Sequence, residues 1–217
     1  MPTWDELFKD EDNRWKEPHE SLVDVIKSLK SRTRVKRVLD LGCGAGRHVV
    51  YLSGEGYEAY GMDLSFSGLQ FSREWLARQG HPTRLAMADM TSLPFANTSF
   101  DMVVSMFVIH HNLLAGLRKS IHEIYRMLVP GGYTLLTLNS TRGYRHDTGR
   151  QLEPGTVIPD IGKDRGIPHH FSDLQEIARE FIRFIVREIH LEEVTSEEGY
   201  LSSHWVILAE KPKEDQE

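Results

Sequence analysis

The chain is poor in cysteine and in long apolar runs, and each shortage excludes a class of protein. Cys43 is its single cysteine, so no disulfide can form within the chain and no multi-cysteine metal site is expected. A reducing, cytoplasmic location follows as the expectation. The longest apolar run, Met102 to Ile109, is interrupted by Ser105 and is far shorter than the ~20 residues that a membrane-spanning helix needs. We therefore expect no membrane partner.

An excess of positive charge is also missing. The 26 lysines and arginines are outnumbered by 32 aspartates and glutamates, which gives a net charge of −6. Because dedicated nucleic-acid-binding proteins usually carry a strong basic excess, we expect no nucleic-acid partner. Residues 1–20 hold seven acidic and three basic side chains and no apolar stretch, which is unlike a secretory signal. Hydrophobic residues make up 40% of the 217, enough for the core of one domain.

Strand-like and helix-like patterns alternate along the chain. Strands are predicted near 38–41, 57–62, 83–87, 100–106 and 133–138, and helices near 46–53, 65–78 and 114–128. A helix near 172–181 then precedes two strand-like segments, 184–194 and 200–210, which a short polar turn makes antiparallel. Strand–helix alternation requires crossover connections and predicts a mostly parallel sheet with helices on both faces.

The clearest motif is the glycine cluster that follows the first predicted strand, at Gly42, Gly44 and Gly46. Glycines let the backbone turn tightly and approach a ligand with no side chain in between, and the next helix points its free N–H groups at the same ligand. The spacing is G-x-G-x-G and not the G-x-G-x-x-G of dinucleotide sites, which counts against a nicotinamide-dependent oxidoreductase. Asp63 ends the second strand, where a carboxylate can accept hydrogen bonds from both ribose hydroxyls of an adenosine.

This glycine spacing, preceded by Asp40, resembles motif I of the class I S-adenosylmethionine-dependent methyltransferases. Later segments resemble that family's further motifs in the same order, namely 88–90, 100–105 and 128–133. The segments 44–48 and 166–170 look most like its small-molecule branch, which includes tellurite-resistance-type and ubiquinone-biosynthesis-type methyltransferases. The resemblance covers about residues 37–140. It implies a doubly wound, Rossmann-like fold with a seven-stranded, mostly parallel sheet and one antiparallel strand near the C-terminus.

The resemblance also implies S-adenosylmethionine as the cofactor and a set of residues that bind it. The expected cofactor-binding residues are Asp40, Gly42, Cys43, Gly44, Gly46, Asp63, Leu64, Asp89, Met90 and Ser105. Asp63 would hold the ribose, and Asp89 the adenine amino group with Met90 against the ring. The backbone carbonyl of Ser105 would face the methionine amine. Asp40 would either orient the glycine loop or reach the ammonium of the ligand, directly or through water.

Two histidine pairs are the candidates for acid–base chemistry: His110 with His111, and His169 with His170. If the acceptor is a hydroxyl or an amine, an imidazole with a pKa near ~6.5 can remove its proton. Nothing in the sequence selects among the four, and a thiol or metalloid acceptor needs no base. A metal site is disfavoured, because adjacent residues rarely point the same way and no cysteine supports them.

The remaining expectations concern the acceptor and the organisation of the chain. The residues expected to contact the acceptor are Trp15, Tyr144, Arg145 and His170. Residues 1–34 would form a helical cap and residues 141–170 an inserted loop or lid on a single domain, which acts as a monomer or homodimer. Proximity and orientation supply about 7–11 kcal/mol of barrier reduction, so in-line methyl transfer to a small molecule requires no dedicated nucleophile. The alternative is a sensor or scaffold that binds S-adenosylmethionine without turnover.

Overall fold

The computed structural model of the chain describes residues 3–30, 35–144, 148–160, 162–197 and 199–213. Its helices are α1 (Trp4–Lys9), α2 (Glu20–Lys30), α3 (Arg47–Gly54), α4 (Phe66–Arg78), α5 (Leu114–Met127) and α6 (Leu174–Glu180). Its strands are β1 (Arg37–Leu41), β2 (Glu58–Asp63), β3 (Leu85–Met87), β4 (Phe100–Ser105), β5 (Leu128–Ser140), β6 (Arg150–Glu153), β7 (Thr156–Ile158), β8 (His169–Ser172), β9 (Ile185–Thr195) and β10 (Leu201–Glu210).

The main sheet is doubly wound. Its order is β3-β2-β1-β4-β5, and on the free edge of β5 it continues through β10 to β9. The pairs among β1 to β5 are parallel, whereas β10 runs antiparallel to both β5 and β9. The predicted α/β fold with a mostly parallel sheet is thereby confirmed. Since the first five strands all point the same way, their carboxyl ends lie at one edge of the sheet, where ligands bind in this architecture.

The expected strand count was wrong. The described part of the chain has ten strands, because the segment expected to be a loop or lid contributes β6, β7 and β8. These form a small antiparallel sheet, and β8 also pairs in parallel with the end of β5, at Asn139 and Ser140. The three strands are only three or four residues long and are separated by glycines and prolines. Segments this short carry too few residues for a two-residue alternation to be recognised.

Apolar side chains cover both faces of the main sheet. On one face, Leu39 and Val103 pack with the apolar stripes of α5 and α6. On the other face, Val38 and Met102 pack with α2, α3 and α4. Neighbouring residues of a buried strand therefore contribute to opposite cores, which explains why these strands are apolar without alternation. No helix within the described ranges is long and apolar enough to cross a bilayer.

Candidate active site

A cavity of about 850 Å³ lies at the carboxyl edge of the sheet. Its volume falls within the ~300–1,000 Å³ that is usual for ligand sites. Its walls come from α1, the glycine turn after β1, the ends of β2 to β5, residues 163–171 and the start of β10. Segments that are far apart in sequence therefore line the same cavity.

The glycine turn is a compact element whose three glycines all have positive φ. The angles are +78° at Gly42, +50° at Gly44 and +93° at Gly46, a region that other residues rarely adopt. At Gly46 a Cβ atom would also lie 2.3 Å from Oγ of Ser72 on α4. The turn is tied to β2, because the N–H groups of Gly42 and Cys43 donate to the carbonyl of Met62 at 2.7 and 2.9 Å. The expected residues Gly42, Cys43, Gly44 and Gly46 all line the cavity.

Asp63, at the end of β2, fixes the glycine turn from the other side. Its Oδ2 accepts from the N–H of Gly44 at 2.7 Å and its Oδ1 from the N–H of Ser65 at 2.8 Å. Burial raises the pKa of this carboxyl, while the backbone N–H groups of Ser65 and Gly44 act in the opposite direction. An ionised carboxylate accepts about four hydrogen bonds. The Asp63 side chain, which lines the cavity, therefore has acceptor capacity left for a ligand.

Asp40 lies in β1, just before the turn, and does not reach the cavity wall. The residue is 1% exposed, and its Oδ1 is 3.6 Å from Nδ1 of His48. Its Oδ2 is buried and has no hydrogen-bond partner among the residues that the structure describes. A buried carboxylate oxygen without a partner is costly, so this atom marks a position for a ligand or water. Which of the two roles expected for Asp40 applies stays a prediction.

Leu64, Asp89 and Met90 form the part of the wall beside β2 and β3. Asp89 follows β3, and its Oδ1 accepts from both the N–H and the hydroxyl of Thr91 at 2.7 Å. Ser105 is different, because its side chain is fully buried and its hydroxyl donates to the carbonyl of Leu41 at 3.1 Å. Ser105 is not part of the cavity wall, so its expected contact with the cofactor stays a prediction.

Four histidines meet at the other end of the cavity. His110, His111 and His169 were expected, and His204 of β10 joins them. Ring centroids are 4.4 Å apart for His110 and His111, 4.5 Å for His111 and His169, and 6.0 Å for His110 and His204. His204 arrives here because the antiparallel register places it opposite Asn139, near the end of β5. Its sequence signal was a lone histidine in an apolar strand, which does not reveal the register.

The pKa of the His110 imidazole is strongly shifted. Burial lowers its pKa well below 6.5, and His111, His204 and His169 lower it further. Its Nδ1 is 3.4 Å from the carbonyl oxygen of Thr137. In the tautomer that donates from Nδ1 to this carbonyl, Nε2 carries the lone pair. His110 is therefore neutral at pH 7 and able to accept a proton.

The second histidine pair is divided between two environments, because successive residues of a strand point to opposite faces. His169 lines the cavity, and its Nε2 is 3.1 Å from Oδ2 of Asp164. His170 is fully buried outside the cavity, with Nδ1 2.7 Å from Oγ1 of Thr156 and Nε2 2.7 Å from Oε1 of Glu176. Since both of its ring nitrogens contact the protein, we remove His170 from the candidate bases and from the acceptor-binding set.

The other three residues expected to contact the acceptor differ in where the structure places them. Trp15 lines the cavity but is 64% exposed. Tyr144 also lines it, and its ring stacks on Tyr200 with centroids 4.7 Å apart. Arg145 lies outside the described residues. No group of three or more His, Cys, Asp or Glu side chains in the ranges given above is arranged to hold a metal ion.

Helix α1, which lies in the segment 1–34 expected to form a helical cap, covers the glycine turn. The Phe8 ring lies 2.5 Å from the position that a Cβ at Gly44 would take, and 3.2 Å from that of Gly68 on α4. Oδ1 of Asp5 accepts from the N–H of Ser67 at 2.7 Å, and the hydroxyl of Ser65 lies 3.2 Å from it. Helix α1 is thus fixed to the amino end of α4.

Trp4 carries the same helix to the other end of the cavity. Its ring packs on His111 with centroids 4.7 Å apart. Further cavity residues that the sequence analysis left unassigned are Leu7, Arg47, His48, Phe107, Asn112, Asn139, Lys163, Asp164 and Tyr200. Most of them lie in loops, where no periodicity indicates which side chains face a common space.

Comparisons with known proteins find methyltransferases. A family model described as a methyltransferase domain matches residues 39–136. The chain is similar to a malonyl-[acyl-carrier protein] O-methyltransferase of Enterobacter lignolyticus, with 33% identity over 52% of this chain and 43% of that protein. It is also similar to a demethylmenaquinone methyltransferase of Protochlamydia amoebophila, with 28% identity over 86% of this chain and 78% of that protein. The match spans less than half of the Enterobacter protein.

Solved structures share the fold. A S-adenosylmethionine-dependent methyltransferase of Methanosarcina mazei has a TM-score of 0.73 and 22% identity, and the match covers 91% of this chain and all of that one. The 1,6-didemethyltoxoflavin-N1-methyltransferase of Burkholderia thailandensis, solved with its acceptor and S-adenosylhomocysteine, has a TM-score of 0.68 and 17% identity. That match covers 89% of this chain and 78% of the other.

Proposed function

Because residues 39–136 form a class I S-adenosylmethionine-dependent methyltransferase domain, we propose that this protein transfers a methyl group from S-adenosylmethionine to a small-molecule acceptor by in-line displacement. The observation that carries the proposal is one cavity that is lined by two chemically different groups of residues. The glycine turn and Asp63 form one group, and His110, His111 and His169 form the other.

The residues of the first group fit the cofactor. Asp63 offers acceptor capacity to ribose hydroxyls, and Oδ2 of Asp40, in the strand that leads into the turn, has no hydrogen-bond partner among the described residues. Leu64, Asp89 and Met90 would contact the adenine, and the glycine turn would contact the methionine part. When bound, the cofactor supplies a methyl group already activated by a sulfonium.

The chain's own contribution is to align the acceptor and exclude water. Trp4, Phe107 and Tyr200 add aromatic walls beside the histidines, and α1 covers the glycine turn. Aligning two reactants supplies about 7–11 kcal/mol. If the acceptor loses a proton, Nε2 of neutral His110 accepts it, or His169, which lies beside Asp164, does so.

The small-molecule acceptor is supported by the size of the cavity and by similar proteins named for demethylmenaquinone and 1,6-didemethyltoxoflavin. The net charge of −6 favours neither nucleic acid nor an anionic membrane surface. We place the protein in the cytoplasm as a monomer or homodimer, with α1 and α2 as the cap of a single domain. A sensor without turnover would need no second group of cavity residues made of histidines.

The test uses the purified chain and S-adenosylmethionine carrying a deuterated methyl group. Metabolite extracts are incubated with both, and mass spectrometry searches for products that carry the label. The expected result is a labelled small molecule that is absent with an Asp63→Ala variant. Calorimetric binding of S-adenosylhomocysteine without any labelled product would favour the sensor, and absence of binding would overturn the cofactor assignment.

A further inference from the structure

Strand β9 forms one edge of the main sheet. Within the described part of the chain it pairs only with β10, so the backbone N–H and C=O groups on its other side have no partner strand. The strand is 11 residues long, whereas β3, at the opposite edge of the main sheet, has three. A long open edge is a template for another strand, and folded proteins usually protect it.

The usual protections are few along β9. Its sequence contains no proline and no lysine, the residues that most often prevent pairing at an edge. The register shift in its pairing with β10 skips Arg187, and from Glu188 to Thr195 the pairing is regular. A bulge ends a pairing surface locally. The eight residues after Arg187 are therefore the part of the edge that a further strand can extend.

Apolar side chains on this strand face solvent. Ile185, Val186, Ile189 and Val194 are between 36% and 64% exposed. Leu191, near the middle of the regular part, is half-buried. Apolar side chains that are gathered on an open edge indicate either an aggregation hazard or an interface with another chain.

The charges of the edge fit a second copy of the same strand. In an antiparallel pair with a two-fold axis, residues at equal distances on either side of the axis face each other. With the axis at Leu191, this residue faces its own copy, and His190 faces Glu192 on both sides of the axis. The imidazole can donate to the carboxylate. Glu192 is held beside the edge by His19, whose Nε2 lies 3.1 Å from its Oε2.

Neighbouring registers fit less well. With the axis at His190, Glu188 would face Glu192, and with the axis at Glu192 that carboxylate would face its own copy. Like charges directly opposite each other destabilise a strand pair. With the axis at Ile189, the pairing would run into the bulge at Arg187. The axis at Leu191 avoids both faults.

We propose that two copies of this chain pair antiparallel through β9, with the two-fold axis at Leu191, so that their main sheets become one continuous sheet. The interface is isologous, the type found in most homodimers. Val194 lines the cavity and faces Glu188 of the second copy in this register. The interface therefore begins at the cavity wall.

Sedimentation velocity of the full chain at about 1–100 µM tests the assembly. We expect a species with twice the 25.0 kDa mass of the chain. His190→Glu places like charges opposite each other at two positions, so the dimer Kd should rise at least about fivefold. His190→Lys keeps a donor opposite Glu192 and should remain dimeric. The matched control His122→Glu, an exposed change on α5, should have the wild-type Kd.

A cysteine at position 191 tests the register. The natural Cys43 is buried and is the single cysteine of the chain. Cα atoms that face each other in an antiparallel pair are about 4.5–5.5 Å apart, a separation that permits a disulfide. Oxidised Leu191→Cys should therefore run as a covalent dimer under denaturing conditions. Val194→Cys should not, because its two copies are separated by about 20 Å along the strand pair.

Two results would overturn the proposal. A wild-type chain that stays monomeric over the whole concentration range would show that β9 does not pair with a second copy, and would leave its edge to a different protein. A covalent dimer of Val194→Cys without one of Leu191→Cys would refute the register. Neither measurement depends on methyl transfer, so the proposed function is tested separately.

Discussion

The backbone N–H of Gly44 donates a hydrogen bond of 2.7 Å to Oδ2 of Asp63. The turn after β1 and the carboxylate that ends β2 are therefore one structural unit. The other carboxylate oxygen of Asp63, Oδ1, accepts a hydrogen bond from the N–H of Ser65, the residue that caps α4. A change at Asp63 consequently alters both a group that faces the cavity and the support of the glycine turn.

Replacing Asp63 by alanine is expected to weaken binding of S-adenosylhomocysteine by at least about 10-fold, because a hydrogen bond to a charged group contributes about 1.5–3 kcal/mol. Calorimetry measures the Kd. Asp101→Ala is the matched control, since Oδ2 of Asp101 also accepts two backbone N–H groups, from Lys36 and Arg37, at the opposite edge of the sheet. Undiminished affinity in Asp63→Ala would refute the ribose role.

Gly46→Ala is expected to lower Tm more than Gly56→Ala. Both glycines have similar positive φ, +93° and +88°, so both variants bear a backbone penalty of about 1–2 kcal/mol. Only at Gly46 does the added methyl group meet another atom, Oγ of Ser72, and such overpacking costs about 1–3 kcal/mol more. Thermal unfolding of the two variants gives the difference, and equal Tm values would contradict the packing described for the turn.

The lowered pKa of His110 predicts a stability that falls with acidification. The unfolded chain binds this proton near pH 6.5, whereas the buried imidazole in the folded chain resists it. The free energy of unfolding therefore decreases as the pH drops through 6.5 towards the folded-state pKa, by at most about 1.4 kcal/mol per pH unit for this group. Urea unfolding of the wild type and of His110→Gln at pH 7.5 and 5.5 measures this decrease in the free energy of unfolding.

Between pH 7.5 and 5.5, the free energy of unfolding should fall less in His110→Gln than in the wild type. His111, His169 and His204 surround His110 in the cavity, and the comparison of the two proteins removes every contribution to the pH dependence that both share. His122→Gln, an exposed change on α5, leaves the buried cluster intact and serves as the control. An identical loss in wild type and His110→Gln would show that His110 is not held neutral.

Asp5→Ala is expected to loosen α1, because the variant loses the contacts of Asp5 with Ser67 and Ser65. Lys9 ends the helix and is exposed, so the rate of tryptic cleavage after Lys9 reports the loosening. We expect faster cleavage in Asp5→Ala, and slower cleavage in both proteins when S-adenosylhomocysteine is bound. Asp12→Ala, in the same segment, should cleave like the wild type.

His170→Ala is expected to reduce stability and to leave ligand binding unchanged. The substitution removes the partners of the Thr156 hydroxyl and of the Glu176 carboxylate, which costs about 1–3 kcal/mol. Denaturant unfolding gives the free energy, and calorimetry should give a wild-type Kd for S-adenosylhomocysteine. A large loss of affinity without loss of stability would return His170 to the active site.

The fold was largely accessible from the sequence. The predicted segments near 38–41 and 100–106 correspond to β1 and β4, because strands covered on both faces are continuously apolar. The small sheet of β6, β7 and β8 was missed, since its stability comes from pairing with β5 and not from a local pattern. The pattern near 133–138 likewise identified only part of β5, which continues to Ser140.

The sequence predicted residues of the candidate site only where a motif marks them. The glycine turn, Asp63 and Asp89 line the cavity because they follow directly from strand ends, and their roles stay predictions. His204 was missed because it reaches the cavity through an antiparallel register that pairs it with Asn139, 65 residues earlier in the chain.

The two histidines of β8 lie in different environments, so the register of this strand decides where each imidazole lies. His169 and His170 have the same side chain, and their alternation along the strand decides which one lines the cavity and which one contacts Glu176 of α6. A slip of β8 by one residue against β5 and β7 would exchange the two imidazoles. A redesign of the acceptor site must therefore preserve the pairing of β8 with β5 and β7.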